Sequence, residues 1–133
     1  MAINISPQAW GPKLWKSLHY LAFAYPEQPS AEQQQAAASL LQALAQLLPC
    51  EKCRQHYAAY LSQFPPNVES RAAFARYVNE LHNKVNARLG KESIAFDPST
   101  PYAKPAKAGI HWGQVLIAVV LGILIGLALS RWK

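Results

Sequence analysis

The residues best equipped for chemistry are Cys50 and Cys53, in Leu48-Pro-Cys-Glu-Lys-Cys53, the only two cysteines of the chain. Two thiols at this spacing at a helix start can close a small disulfide ring and reopen it, or hold a metal; plain packing is the rarer use. Pro49 fixes φ and suits the start of a helix, so both cysteines are expected in its first turn. There, unpaired N–H groups and the helix dipole stabilise a thiolate and make the thiol reactive at neutral pH. On this motif alone, redox chemistry, a zinc site and an inert pair all stay open.

Two further sets of polar residues sit within apolar surroundings. Gly11, Trp15 and His19 are spaced four apart, on one helix face. His82 and Asn86, with Asn83 between them, are one helical turn apart and share a face. A single helix histidine or asparagine is usually a satisfied polar residue. Together, a flat aromatic wall, ring donors and amides suit a planar heterocycle with hydrogen-bonding edges.

Helices must position these groups. Trp10 to Tyr25 reads as an amphipathic helix with Leu14, Leu18, Leu21 and Tyr25 as its stripe, after a mobile lead over 1–9. Pro26 and Pro29 end it. Ser30-Ala-Glu-Gln33 is a capping box that opens a helix over 31–48, with Leu40, Leu41, Leu44, Leu47 and Leu48 facing inward. The next helix, 50–64, carries both cysteines, His56, Tyr57, Tyr60 and Leu61. A fourth, 69–89, buries Phe74, Tyr77, Val78, Leu81, Val85 and Leu89, and stops at Gly90 with Arg88 in its last turn. No strand-period run competes, so the expectation is an all-α four-helix bundle. A thioredoxin-like fold is unsupported without a βαβ pattern.

Composition changes after the bundle, which is taken as 1–91. Residues 92–109 hold Pro98, Pro101 and Pro105 and read as a linker or short helix. Residues 110–130 read as a transmembrane helix. The stretch 112–129 carries no charge and spans about 27 Å as a helix, against a hydrocarbon core of about 30 Å. Trp112 and Trp132 flank it as interfacial anchors.

The net charge of +6 is scattered, which fits a solvated basic surface rather than a nucleic-acid site. Two cysteines are too few for a disulfide-stapled secreted scaffold. The opening Met1-Ala-Ile-Asn-Ile-Ser-Pro7 lacks the basic and apolar regions of a signal peptide. Insertion by the tail is therefore expected, with the domain facing the cytosol. Flanking lysines and arginines balance and leave the positive-inside rule undecided.

Taken together, Gly11-x-x-x-Trp15-x-x-x-His19, Tyr25-Pro26, Cys50-x-x-Cys53 and His82-Asn83-x-Val85-Asn86-x-Arg88-Leu89-Gly90-Lys91 resemble the FAD-linked sulfhydryl oxidases of the Erv/ALR type. The opening Trp10-Gly-Pro-Lys-Leu-Trp15 looks most like the versions carried by large cytoplasmic DNA viruses. The resemblance implies a four-helix bundle binding FAD, plus a short fifth helix or turn, and non-covalent homodimers. It implies a thiol oxidase that makes disulfides in client proteins. Electrons would run from client dithiol to Cys50–Cys53, to FAD, to O₂, giving H₂O₂.

Carried over residue by residue, Gly11, Trp15, His19 and Tyr25 match positions around the cofactor. His82, Asn83, Val85 and Asn86 match the helix lining it, and Leu89 and Lys91 its end. Cys53 matches the flavin-facing cysteine and Cys50 the outer, exchanging one. His56 follows Cys53 on the same face and is a candidate cofactor contact.

The chain departs from the cellular pattern in several ways. Pro12 stands where many members have arginine, and the extra cysteine pairs are absent, so electrons must enter directly from a client or a thioredoxin-like carrier. The fifth-helix tryptophan is missing, with Tyr102 a weak stand-in. No resident metal is expected under this reading. The rival readings are a membrane-anchored Cys₂His₂ zinc protein using Cys50, Cys53, His56 and His82, and a non-catalytic helical adaptor.

Overall fold

The computed structural model describes residues 3–101, 120 and 123. Four helices carry the fold: α1 (Pro7–Phe23), α2 (Ala31–Leu47), α3 (Glu51–Gln63) and α4 (Arg71–Arg88). α1 packs along α4 and α2 along α3. The core between them is built on Leu18, Leu41, Phe74, Val78 and Leu81, each almost fully buried. Truncating a side chain of this kind to alanine costs about 2–5 kcal/mol.

Local chemistry sets most helix ends. Ser30 Oγ accepts from Gln33 N while Gln33 Oε1 accepts from Ser30 N, the full capping box. Ser70 Oγ caps α4 by accepting from Ala73 N at 3.2 Å. Gly90, at φ +64°, turns the chain out of α4 in the left-handed region that favours glycine. Lys91 N then donates to Asn86 O at 2.9 Å.

Several sequence expectations shift. α1 begins at Pro7, not Trp10, because proline suits the first helical position. The lead ahead of it is held: Ile5 N donates to Pro49 O at 2.8 Å. Cys50 is the N-cap of α3 rather than a first-turn residue. Leu21, Leu40, Leu47 and Leu89, expected inside, are exposed. On α1 the buried stripe is Leu18, His19 and Ala22 instead. Leucine spacing identifies a stripe but not which of two adjoining stripes meets the partner helix.

The bundle also runs past Lys91. Ile94 is buried, and both its backbone groups bond to Asn83, with Ile94 N donating to Oδ1 at 2.7 Å and Ile94 O accepting from Nδ2 at 2.9 Å. Beyond it, Thr100 N closes a turn on Asp97 O at 3.4 Å, and the described residues hold no fifth helix. No helix among the described residues is long and apolar enough to cross a membrane. The expected span over 110–130 lies outside them, save Val120 and Ile123, as does Tyr102.

Candidate active site

A cleft of about 1030 Å³ opens between the two helix pairs. Its α3 wall presents the Cys50–Cys53 disulfide. Cys50 holds N-cap geometry, and its sulfur accepts from Cys53 N at 3.2 Å. The turn leading into it is pinned: Leu48 O accepts from Cys50 N at 2.8 Å and from Arg54 Nη1 at 2.6 Å. Cys53 packs against the hydrophobic core. The redox-capable ring is therefore rigid on one side and open to the cleft on the other.

The opposite wall comes from α1 and α4. Trp15 stacks flat on His82, centroids 4.2 Å apart and planes 5° from parallel. Behind the stack, His19 Nε2 lies 3.1 Å from His82 Nδ1, one ring donating and the other accepting. Both rings are buried. Burial holds the His19 imidazole below its ordinary pKa. Burial first, then the neighbouring His19 and Lys91, push His82 down to about 4. The pair is thus neutral at physiological pH, a polar but uncharged backing for a flat aromatic surface.

Leu14, Leu18, Leu44 and Leu48 make the cleft floor apolar, while Lys84, Arg88 and Lys91 bring positive charge to it. Tyr57 also lines it, and its hydroxyl is buried with no hydrogen-bond partner among the described residues. Burial raises that hydroxyl's pKa well above the ordinary value.

Residues 12–106 match the Erv1 / Alr family. The chain belongs to that family. A protein of Invertebrate iridescent virus 3, named as an FAD-linked sulfhydryl oxidase, is 30% identical over 92% of this chain and 91% of its own length. The FAD-linked sulfhydryl oxidase of an African swine fever virus isolate is 32% identical over 65% of this chain and 73% of its own. Among solved structures, the FAD-binding domain of Erv1 from Saccharomyces cerevisiae superposes with a TM-score of 0.66. It is 32% identical and covers 72% of this chain and 90% of that domain.

In this Erv1/Alr chain the cleft gathers most of the residues picked out by sequence. Gly11, Trp15, Cys50, Cys53, His56, His82, Val85, Asn86, Leu89 and Lys91 all line it. Three sit elsewhere. His19 lies one layer back, against His82. Tyr25 is in the core, edge-on to Phe74 at 5.1 Å. Asn83 points at the Ile94 backbone. Tyr57 and Trp10 also line the cleft, and helical spacing signals the first of them, since Tyr57 lies one turn beyond Cys53 on α3. The four residues of the zinc reading do not converge: among the described residues no group of three or more His, Cys, Asp or Glu side chains could hold a metal ion.

Proposed function

We propose that the chain is an FAD-dependent thiol oxidase that makes disulfide bonds in client proteins, with Cys50–Cys53 as the redox pair. The observation that carries it is the opening of that disulfide onto the same cleft as the Trp15–His82 stack. The cleft's chemistry fits FAD: a flat aromatic wall and apolar floor for a fused ring, amide and phenol partners for its polar edge, and nearby cations for a diphosphate. Trp15, His82, Val85, Asn86, Leu89, Lys91, Gly11 and His56 would hold it, with His19 backing the His82 ring.

The chain's own steps follow from the cap. A client thiolate attacks Cys50, which takes the client sulfur in a mixed disulfide while Cys53 leaves as a thiolate. A second client thiolate attacks the client sulfur, releasing the client disulfide and a reduced pair. The α3 N-terminus favours thiolate on both cysteines. When held in the cleft, FAD would supply the two-electron transfer from the reduced Cys50–Cys53 pair to O₂, so that two thiols and O₂ become one disulfide and H₂O₂. Cys53 is read as the flavin-facing partner because it packs toward the core. A purified protein with a flavin spectrum and thiol-dependent oxygen uptake yielding H₂O₂ meets this reading; a colourless, inactive protein refutes it.

Two features of the assembly belong to the same proposal. A homodimer is supported by apolar side chains left exposed on α1 and α2, among them Leu21, Leu40 and Leu47. A monomeric mass by light scattering at micromolar concentration would count against it. A membrane span over 110–130 is supported by the uncharged run 112–129. Carbonate extraction tests the span, and protease protection on intact membranes tests the expected cytosolic side.

A further inference from the structure

We propose that Asn4 is a positioning residue for the redox pair: its side-chain oxygen fixes the first turn of α3 so that the turn's other N–H groups stay aimed at Cys50. The inference rests on Cys50–Cys53 being the redox pair. It starts from the lead over 3–6, which precedes α1 in sequence yet runs beside the redox turn. Asn4 Oδ1 accepts from Glu51 N at 3.1 Å, across 47 residues of chain. The next residue, Ile5, donates its N–H to Pro49 O at 2.8 Å. Ile5 O in turn accepts from Trp10 Nε1 at 3.1 Å, and Trp10 lines the cleft. A continuous set of hydrogen bonds thus joins the cleft wall to both sides of Cys50.

The helix start explains why a distant side chain is needed. The first four N–H groups of a helix have no partner within it. An N-cap side chain reaches the second or third of the helical residues, and Cys50 Sγ takes Cys53 N accordingly. Glu51 N, at the first helical position, lies outside that reach, and Asn4 supplies its acceptor. When the disulfide opens, a Cys50 thiolate accepts the same Cys53 N–H as a charged acceptor, a stronger bond provided the turn keeps its geometry. Asparagine suits the task because it satisfies Glu51 N–H without placing a second negative charge beside the thiolate.

The test reads the thiol directly, so it stands apart from oxidase turnover. The full chain is reduced anaerobically and alkylated with iodoacetamide across a pH series, with Cys50 modification followed by peptide mass. Hydrogen exchange reports the Glu51 amide. Asn4→Leu keeps the side chain's shape and removes the acceptor. It is expected to slow Cys50 alkylation at neutral pH about fivefold, the equivalent of one lost cap, to move the pH profile upward, and to expose the Glu51 amide. The charged and titratable groups around the cysteine are the same in both proteins: Glu51, Lys52, Arg54 and His56 on α3, and Lys84, Arg88, Lys91, Glu92 and the neutral His82 across the cleft. Asn4→Asp keeps an acceptor and should keep the amide protected. Cys50 alkylation in Asn4→Leu at or above the unmodified protein's rate overturns the proposal, as does an unprotected Glu51 amide in Asn4→Asp.

Discussion

The two walls of the cleft are built by different means. The reactive groups of the α3 wall are set locally: Pro49, the Cys50 cap and Cys53 sit within one turn, and the cap bond from Cys53 N to Cys50 Sγ closes over three residues. The α1–α4 wall is assembled at long range, with His19 and His82 in contact across 63 residues of sequence. The first wall is half-exposed and carries groups that change covalently. The second is centred on a buried histidine pair, groups whose worth lies in staying fixed and neutral. Chemistry is thus placed where a client can reach it, and recognition where packing enforces planarity.

The largest expected effect breaks the exposed wall. Cys53→Ser should bring thiol-dependent oxygen uptake to background while the cofactor stays bound, because the α1–α4 wall is untouched. Cys50→Ser should also stop turnover but leave a Cys53 thiolate, seen as added long-wavelength absorbance of the flavin. Absorbance of that kind in the Cys53 variant instead would reverse the two roles.

Breaking the buried wall should act on affinity rather than on the thiol chemistry. Trp15→Ala removes the flat surface stacked on His82. Aromatic pairs contribute about 0.5–1.5 kcal/mol beyond their buried area, so cofactor affinity should fall by about two- to tenfold. Titration of the apoprotein with FAD measures it, and iodoacetamide reactivity of the reduced cysteines should stay near that of the unmodified protein. A loss of thiol reactivity alongside would show that the two walls are not separable.

The contrast also explains what the sequence makes legible. Capping residues act on their own neighbours, so Ser30, Gln33 and Gly90 could be read directly, and the structure shows each in that role. The cysteine pair was legible for the same reason. Helical spacing placed Trp15 with His19, and His82 with Asn86, but the stack of Trp15 on His82 depends on how α1 meets α4. No local pattern encodes that rotation, which is why leucine spacing alone turns Leu21 and Leu47 inward whereas the fold exposes both. The clamp of Asn4 on Glu51 was invisible for the same reason: neither residue has a distinctive neighbourhood.

A smaller, graded effect should come from acid. His82 is held near 4 in the fold, below its ordinary value of 6.5. Above 6.5 the imidazole is neutral folded or unfolded and contributes no pH dependence. As pH falls from 6.5 toward 4, the unfolded chain binds a proton that the folded one refuses, so stability drops. Below about 4 the folded protein takes the proton too and the loss levels off. His19 adds to the same trend, its pKa being lowered as well. Urea midpoints should therefore fall between neutral pH and pH 4.5. His82→Phe, which keeps a ring against Trp15, should flatten that slope.

The smallest effect on turnover is expected at Asn83, which sits between two cleft-facing residues of α4 but turns away from the cleft. Its amide nitrogen donates to Ile94 O at 2.9 Å and to Asn79 Oδ1 at 3.2 Å, and its oxygen accepts from Ile94 N at 2.7 Å. All of its bonding serves to hold the buried Ile94 segment on α4. Asn83→Ala leaves Ile94 N without its partner, at a cost of about 1–3 kcal/mol, while Asn79 Nδ2 still reaches Ile94 O at 3.3 Å. Chemical denaturation should register that loss, with FAD affinity and turnover near those of the unmodified protein. Asn86, one turn from His82, lines the cleft and is buried, so Asn86→Ala should do the reverse and weaken FAD binding more than it lowers stability. Two asparagines three residues apart then separate the groove's recognition from its scaffolding. Ile94 also lines the cleft, so equal losses of affinity in both variants would mean that its contact with the cofactor depends on the Asn83 bonds.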